Sequence, residues 1–283
     1  MRFAKWQALG NDYVIVEGEA LPFALTPERI RRLCEPHTGI GADGVLLLER
    51  SPDPEFVASL RIFNPDGSES GLSGNGAREA IMYLRRAGWT SEDSFAISTP
   101  SGPIRPTITG PRTCRVEMGR ASVRSEDFPS GGDEGRGTVE SGGRTWAFRH
   151  VQIGNPQCAI AVADAGELGS LDLGVYGPAI ERSTLFPNRT NVSWFAALGE
   201  HEIRARIFAR GVGETLASGT GASGAAIAYV LDGGRSPVTV RLDGGELLVE
   251  VDLNLNVTLT GWAVPVYDGT LSDEFLEELN ETE

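Results

Sequence analysis

Two segments of the chain that lie 145 residues apart are closely similar. Residues 61–85 read RIFNPDGSESGLSGNGAREAIMYLR, and residues 206–230 read RIFARGVGETLASGTGASGAAIAYV. In both segments a strand-like run leads into a glycine turn that opens a helical pattern. Solenoid repeats have periods of roughly 20–50 residues, so this longer separation indicates two similar domains. The shared residues are Arg61/Arg206, Ile62/Ile207, Phe63/Phe208, Glu69/Glu214, Ser73/Ser218, Gly74/Gly219, Gly76/Gly221, Ala77/Ala222 and Ala80/Ala225.

The two glycine turns are the strongest candidate site. Each places backbone N–H groups at the start of a helix, where the helix dipole favours an anion. If the domains face each other, both turns can close on one ligand and stabilise the charge that develops as an α-proton leaves. The alternative is that each serine is only a helix N-cap, which serine does well. We favour the site because there are two matched copies, Ser73-Gly74-Asn75-Gly76 and Ser218-Gly219-Thr220-Gly221.

Four asparagines and one arginine are candidate ligand-binding residues. Asn11 and Asn155 follow glycine in matched turns, and Asn64 and Asn191 lie at strand ends. A neutral amide suits a ligand with both ammonium and carboxylate groups because it offers a donor and an acceptor. Arg210, at a strand end before the second glycine turn, can pair bidentately with a carboxylate. The alternatives are ordinary turn residues for the asparagines and a surface role for the arginine.

Composition excludes several classes of function. The net charge of −14 argues against nucleic-acid binding, and no apolar run approaches the length of a membrane span. Lys5 is the only lysine and lies in the first strand pattern, which argues against a pyridoxal-phosphate Schiff base. The residues 39–44 fit G-x-G-x-x-G but lead into a strand pattern, so we interpret them as a tight turn and not a nicotinamide site.

The cysteines and the N-terminus indicate a protein of the reducing cytoplasm. Three scattered cysteines do not form a disulfide framework, and no His/Cys cluster with metal-ligand spacing is present, so no metal is expected. The first six residues enter a strand pattern without a signal-peptide apolar region.

The periodicity predicts an element order that is repeated in the second half. We expect the glycine-rich stretch 124–144 to be a loop or hairpin tip near the domain boundary, and 272–283 to be an acidic terminal helix. The predicted strands are 3–17 (broken by a turn), 45–48, 58–63, 95–99, 104–109, 113–118, 146–163 (broken by a turn), 202–208 and a meander through 237–259. The predicted helices are 27 to about 34, with Thr26 as its N-cap and Pro27 at its first position, 74–86, about 172–182, and one from 219.

Short motifs spread over the chain form a specific set. They are Phe3-Ala4-Lys5, Leu9-Gly10-Asn11-Asp12-Tyr13, Gly39-Ile40-Gly41-Ala42-Asp43-Gly44, Asn64-Pro65-Asp66-Gly67-Ser68, Gly74-Asn75-Gly76-Ala77-Arg78, Gly154-Asn155-Pro156, Asn191-Val192, Arg210-Gly211-Val212-Gly213-Glu214-Thr215, Gly219-Thr220-Gly221 and Thr260-Gly261. This set resembles the diaminopimelate epimerase family over nearly the full length of the chain.

The resemblance implies a fold and an activity. The fold is α/β (α+β), with two pseudo-symmetric domains that each wrap a curved, mainly antiparallel sheet around a central helix. We expect an N-terminal domain of residues 1–118 with 263–274, a C-terminal domain of 119–262, and an acidic tail, 275–283. Such enzymes are cytoplasmic, usually homodimeric isomerases that need no cofactor. They invert one α-carbon of diaminopimelate, a small amino acid, for lysine and cell-wall synthesis.

The chain departs from the family pattern at the positions that handle protons. The resemblance implies a cysteine where Ser73 and Ser218 stand, a histidine at Gln157 and a glutamate at Ala209. In the family, one thiolate removes the α-proton and the opposite thiol delivers one. A thiol pKa of about 8.5 falls to roughly 3.5–7.5 at a helix N-terminus, whereas a serine hydroxyl starts far higher and needs an adjacent base.

Three interpretations of these departures stay open. The chain is an epimerase with weak or altered activity, an amino-acid-binding homologue without turnover, or a related isomerase or dehydratase that uses a carboxylate base. The serines are either natural or deliberate Cys→Ser changes that trap substrate. The candidate substitute bases are Glu69, Glu214, Asp12 and Asp66, and their alternative role is structural.

Overall fold

The computed structural model describes residues 1–71 and 73–282. Within them it has eighteen strands, six α-helices and one short 3-10 helix, Gly18–Ala20. In chain order the strands and α-helices are β1 (Arg2–Ala8), β2 (Asn11–Glu17), α1 (Pro27–Cys34), β3 (Val45–Arg50), β4 (Ala58–Phe63), β5 (Glu69–Ser70), α2 (Gly74–Arg86), β6 (Ile97–Ser98), β7 (Pro106–Ile108), β8 (Thr113–Arg120), β9 (Arg136–Ser141), β10 (Arg144–Ile153), β11 (Asn155–Ala161), α3 (Ala165–Ser170), α4 (Leu173–Glu181), β12 (Asn191–Gly199), β13 (Glu202–Ala209), β14 (Gly213–Thr215), α5 (Gly219–Leu231), β15 (Val238–Leu242), β16 (Gly245–Val251), β17 (Asn256–Trp262), β18 (Val264–Thr270) and α6 (Asp273–Glu281).

The chain divides into two compact units. Unit 1 consists of residues 1–116 together with the chain from Trp262 onward, and unit 2 consists of residues 117–261. Strand β18 pairs antiparallel with β1, so the end of the chain returns to the first sheet. Helix α6 also belongs to unit 1, where buried Leu279 joins a cluster with Ile30 and Leu33 of α1.

Unit 1 contains a sheet whose strand order is β18-β1-β2-β3-β4-β5, with β6 beside β4. Strands β2 and β3 are parallel, as are β4 and β6, and the other pairs are antiparallel. Helix α2 packs against β1, β2, β3 and β18. Most of its residues are buried, and small ones such as Gly76, Ala77 and Ala80 let the sheet approach the helix closely.

Unit 2 repeats this pairing pattern around α5. The hairpin β10–β11, the parallel step to β12 and the antiparallel partner β13 follow in the same order as β1 to β4. Strand β15 then pairs parallel with β13, as β6 does with β4. Helix α5 packs against β10, β11, β12, β13, β15 and β16. It is apolar on all sides, which is the pattern of a helix enclosed by other elements.

The expected mixed α/β fold with two sheet-rich halves is confirmed, and several element predictions need correction. Residues 136–141 are strand β9, although the whole stretch 124–144 was expected to be a loop or hairpin tip. Only Val139 and Ser141 of β9 are buried, so the edge strand carries little apolar signal. Strand β12 was not predicted. Its first six residues are buried on both faces of the sheet, so they lack the alternation of apolar and polar residues that indicates a strand. The six-residue helix α3 was also not predicted. Strand β6 covers only two residues of the strand that was expected over 95–99.

Candidate active-site corners

The first candidate corner, the Ser73 corner, is the turn Ser73–Gly76 at the start of α2. Ser73 has extended backbone and its Oγ accepts a hydrogen bond from the Gly76 N–H at 3.1 Å, so it is the N-cap of the helix. The Ala77 N–H donates to the Ser73 carbonyl at 2.8 Å. The N–H groups of Gly74 and Asn75 fall in the first turn, where the helix itself supplies no acceptor. This corner therefore offers backbone donors and the positive end of a helix dipole to an anion.

Tyr13 is a second partner of Ser73. The Tyr13 hydroxyl donates a hydrogen bond to Ser73 Oγ at 3.2 Å, and burial raises the pKa of this phenol well above its ordinary value. Its ring lies against two glycines: a Cβ on Gly44 would be 2.6 Å from the Tyr13 ring, and one on Gly76 would be 3.4 Å from it. The sequence pattern indicated only a tight turn at Gly44, and Tyr13 was not among the predicted site residues.

A polar network fixes the candidate residues Asn11 and Asn75 in unit 1. Asn75 Nδ2 donates to Asn11 Oδ1 at 3.2 Å, and Asn11 Nδ2 donates to Asp43 at 2.7 Å. Arg78, which is fully buried, donates to Asn75 Oδ1 at 2.6 Å and to the Gly74 carbonyl at 2.9 Å. Burial lowers the pKa of Arg78 to about 10 and raises that of Asp43. The network holds both amides in one orientation beside the Ser73 corner.

The remaining candidate of unit 1, Asn64, has a turn role. Its Nδ2 donates to Ser68 Oγ at 2.9 Å, and its carbonyl accepts from the Gly67 N–H at 3.0 Å. Within the described residues Asn64 shares no hydrogen bond with Asn11 or Asn75. Asn64 therefore fits the alternative expected for a strand-end asparagine.

The second candidate corner, the Ser218 corner, is the turn Ser218–Gly221 at the start of α5. Ser218 Oγ accepts from the Gly221 N–H at 3.1 Å, so Ser218 is also an N-cap. Thr220 Oγ1 lies 3.4 Å from Ser218 Oγ. As in unit 1, Gly219 and Thr220 contribute first-turn N–H groups that an anion can accept from.

Asn191 and Arg210 meet at the ends of β12 and β13. The Arg210 backbone N–H donates to Asn191 Oδ1 at 2.9 Å, and Asn191 Nδ2 donates to the Pro156 carbonyl at 3.1 Å. The Arg210 guanidinium donates to the Asn188 carbonyl at 2.9 Å. One side of this guanidinium is thus fixed by the protein, and no carboxylate partner of Arg210 is present in the described chain.

Glu181 anchors the same turn from α4. This buried carboxylate accepts from the Gly211 N–H at 2.9 Å and forms ion pairs with Arg182 and Arg189. Arg189 has a φ of 63°, a left-handed conformation that a non-glycine residue adopts only when its surroundings hold it. Glu181 therefore joins α4 to the two loops that carry Asn191 and Arg210. Glu181 was not among the predicted site residues.

Asn155 and Gln157 are linked at the start of β11. Gln157 Nε2 donates to Asn155 Oδ1, and the Gln157 side chain is fully buried. Gln157 lies over Gly224 of α5, where a Cβ would be 2.8 Å from the Gln157 Cβ. Gln157 stands where the resemblance implies a histidine, and its amide is hydrogen-bonded to Asn155.

The four candidate substitute bases are held in other interactions. Glu69 pairs bidentately with Arg61 at 2.9 Å for both bonds, and the hydrogen bond from Arg61 lowers the Glu69 pKa. Glu214 pairs with Arg206 at 3.0 and 2.6 Å. Asp12 pairs with Lys5.

Asp66 accepts from the Ser68 hydroxyl and N–H within its own turn, and these bonds lower the Asp66 pKa. All four carboxylates therefore have structural roles. The buried carboxyl of Glu79 on α2 was not considered from the sequence, and burial raises its pKa well above the ordinary value.

No helix among the described residues is long and apolar enough to cross a membrane. Across residues 1–71 and 73–282, no group of three or more His, Cys, Asp or Glu side chains is arranged to hold a metal ion.

Comparison with known proteins identifies the family. Residues 3–124 and 149–264 match the family described as diaminopimelate epimerase. The chain is 39% identical over 279 residues to diaminopimelate epimerase 2 of Nostoc sp. (strain PCC 7120), covering 97% of this chain and 96% of the relative. It is 38% identical over 283 residues to a diaminopimelate epimerase of Synechococcus sp. (strain JA-3-3Ab), covering 96% of this chain and 99% of the relative.

A solved structure extends the likeness in fold. A hydroxyproline epimerase from Agrobacterium vitis has a TM-score of 0.68 and 15% identity, covering 95% of this chain and 91% of that chain. At this level of identity the similarity concerns the fold alone. The sequence relatives carry the assignment: the chain belongs to the diaminopimelate epimerase family, a family of amino-acid isomerases.

Proposed function

We propose that this chain binds diaminopimelate and inverts one of its α-carbons, converting the LL and meso isomers, with Ser73 and Ser218 in place of the thiol pair. The observation that carries the proposal is the family membership combined with two capped glycine corners of the same geometry. Each corner offers first-turn N–H donors to a carboxylate or to the enediolate-like charge that develops on it.

Inversion by two-base proton transfer sets a strict requirement. One group must remove the α-proton on one face of the carbon, and another must deliver a proton on the opposite face. The proposal therefore requires that Ser73 and Ser218 act on the same substrate. A serine hydroxyl is a far weaker base than a thiolate at neutral pH, so the proposed activity is weak.

Substrate binding is assigned to the amides and to Arg210. Asn191 and Asn155 lie on neighbouring strands of unit 2, and Arg210 can offer its remaining guanidinium N–H groups to a carboxylate. In unit 1, Asn11 and Asn75 form one hydrogen-bonded pair beside the Ser73 corner. Asn64 is the weakest binding candidate because its amide closes a turn.

A second candidate function is amino-acid binding without turnover. It is favoured by the engagement of Gln157 with Asn155 and by the structural roles of the four carboxylates that were candidate bases. Those roles count against the third interpretation, a carboxylate-based isomerase or dehydratase that uses Glu69 or Glu214.

Solvent deuterium exchange separates these functions. The protein is incubated in D2O with LL- or meso-diaminopimelate, and deuterium at the α-carbon and the isomer ratio are followed by NMR and chiral chromatography. Slow exchange with inversion supports the epimerase. Saturable binding in calorimetry without exchange supports the binding protein and contradicts the epimerase. Exchange only with a different amino or hydroxy acid contradicts the proposal that diaminopimelate is the substrate.

A further inference from the structure

Ser73 Oγ lies between two donors of its own unit. The Gly76 N–H is 3.1 Å away and the Tyr13 hydroxyl is 3.2 Å away. A serine oxygen has two acceptor lone pairs, so these donors occupy both. The remaining hydrogen-bonding capacity of Ser73 is its own proton, which must then point elsewhere.

The position of the Tyr13 hydroxyl is fixed by packing. The Tyr13 ring is buried between Gly44, which ends the turn before β3, and Gly76, in the first turn of α2. A methyl group on Gly44 would be 2.6 Å from the ring and 2.2 Å from the Phe63 carbonyl. Glycine at both places leaves room for the ring close to the backbone, so the hydroxyl has little freedom to leave Ser73.

We infer that Tyr13 is a positioning residue for Ser73: with the Gly76 N–H, its hydroxyl directs the Ser73 proton toward an anionic ligand group, a carboxylate or its enolate form. The same hydroxyl stabilises negative charge on whatever atom occupies this place, whether an alkoxide or a thiolate. This inference deepens the proposed function because it assigns the donor role in that reaction to the Ser73 corner.

The matched position in unit 2 provides the contrast. Gln157 stands two residues after Asn155, as Tyr13 stands two residues after Asn11, and its amide is directed to Asn155. The hydroxyl beside Ser218 belongs instead to Thr220, a neighbour in the same turn at 3.4 Å whose donor and acceptor roles are interchangeable. The Ser73 proton is thus directed by a fixed partner, and the Ser218 proton is not.

A thiol at position 73 tests the inference without any substrate. In the variant Ser73→Cys, the pH dependence of alkylation of the introduced thiol by iodoacetamide is measured by mass spectrometry of its peptide and gives the thiol pKa. Adding Tyr13→Phe removes one donor to the thiolate and keeps the ring in place. We expect the alkylation midpoint to rise by about one pH unit, a tenfold loss of thiolate, because a hydrogen bond to a charged group is removed. An unchanged midpoint overturns the inference.

Controls keep the result specific. Tyr229→Phe in the Ser73→Cys background removes a hydroxyl that donates to the Gly199 and Glu200 carbonyls of unit 2, and it must leave the midpoint of the introduced thiol unchanged. An equal rise in both variants contradicts the inference. The three native cysteines are buried, and their peptides are resolved separately. Because no turnover is needed, the outcome is independent of the deuterium-exchange result.

If Tyr13→Phe does not fold, ¹³C-tyrosine NMR replaces it. The Tyr13 Cζ resonance is compared in the native chain and in Ser73→Ala. The inference requires a shift of this resonance when its hydrogen-bond acceptor is removed. A resonance that stays in place overturns it.

Discussion

In unit 1 the serine that caps α2 accepts hydrogen bonds from both Gly76 and Tyr13. In unit 2 the serine that caps α5 accepts one from Gly221, and its other neighbour is the Thr220 hydroxyl, at 3.4 Å, which can be donor or acceptor. The backbones are alike: both helices have 13 residues and both cap distances are 3.1 Å. The difference lies in the side chains around the oxygen. Glycine fixes the shape of each corner, while neighbouring strands decide which proton-handling groups reach it.

A second difference lies on the helices themselves. Glu79 of α2 and Gly224 of α5 occupy matched positions, offset by the same 145 residues as the two serines. In unit 2 the glycine makes room for Gln157. In unit 1 a buried carboxyl takes the space, and burial raises its pKa. Each helix therefore complements the residue opposite it, Tyr13 or Gln157, and the halves are not interchangeable.

The largest loss of stability is expected for Gly224→Glu, because this variant gives unit 2 the residue that unit 1 has at the matched position. A Cβ at this position is 2.8 Å from the Cβ and Cγ of fully buried Gln157, and a carboxyl group would be added to the same space. Overpacking and burial of an unpaired polar group together are expected to cost at least about 4 kcal/mol. Urea unfolding followed by tryptophan fluorescence measures it. Recovery of part of the loss in Gly224→Glu/Gln157→Ala identifies the clash as the cause.

The next largest effect is expected from Glu181→Ala, which removes the anchor of the Arg210 turn. Gly211 loses its N–H acceptor and Arg189 loses its buried partner. Because the Arg189 side chain reaches solvent, we expect a loss of about 2–3 kcal/mol in the free energy of unfolding. The control Glu200→Ala removes an exposed ion pair with Arg235 and should change stability by less than about 0.5 kcal/mol. Equal effects of the two variants would show that Glu181 is not an anchor.

Glu79→Gln tests the buried carboxyl of unit 1 through pH. The folded-state pKa of Glu79 is raised, so above the unfolded-state pKa the native protein holds a proton that the unfolded chain has lost. Glu79 therefore makes stability fall as pH rises, by up to about 1.4 kcal/mol per pH unit, until its folded pKa is reached. The neutral glutamine removes this term. Unfolding free energies of both proteins at about pH 5 and about pH 6, above the ordinary glutamate pKa, should differ in slope. Parallel slopes would contradict the burial of a neutral acid.

The smallest expected effect is the difference in stability loss between Ser73→Ala and Ser218→Ala. Ser218→Ala removes an N-cap bond and is expected to cost about 1 kcal/mol. Ser73→Ala removes the matched cap and also leaves the buried Tyr13 hydroxyl without its acceptor, so it should cost about 1 kcal/mol more. Thermal and urea unfolding of the two variants give the difference. A larger loss for Ser218→Ala would reverse the comparison.

The sequence predicted the features that are encoded locally. Helix α2 was predicted with its observed ends, and α1 was predicted with Thr26 as its cap, because the glycine, serine and proline signals lie within a few residues of those ends. Strand β9 was missed because an edge strand needs few apolar residues. Strand β12 was missed because it is buried on both faces and its residues do not alternate between apolar and polar.

The candidate site shows the same limit. The serine caps follow from sequence, but the Tyr13–Ser73 contact joins residues 60 apart and the Gly211–Glu181 contact joins residues 30 apart. Such contacts depend on strand register and on the packing of glycine against a ring, which no local pattern specifies. The ion pairs of Glu69 with Arg61 and of Glu214 with Arg206 were not predicted either. They give two of the candidate bases a structural role.

The most direct test of the proposed chemistry is α-proton exchange in D2O with LL-diaminopimelate, comparing the native chain with Ser73→Cys/Ser218→Cys. Introducing both thiols supplies groups that ionise near neutral pH at a helix N-terminus. We expect the exchange rate to rise at least about 100-fold, within the range that general acid–base catalysis provides. A folded double variant that binds diaminopimelate and has two titratable thiols, yet exchanges no faster than the native chain, would contradict the assignment of Ser73 and Ser218 to proton transfer.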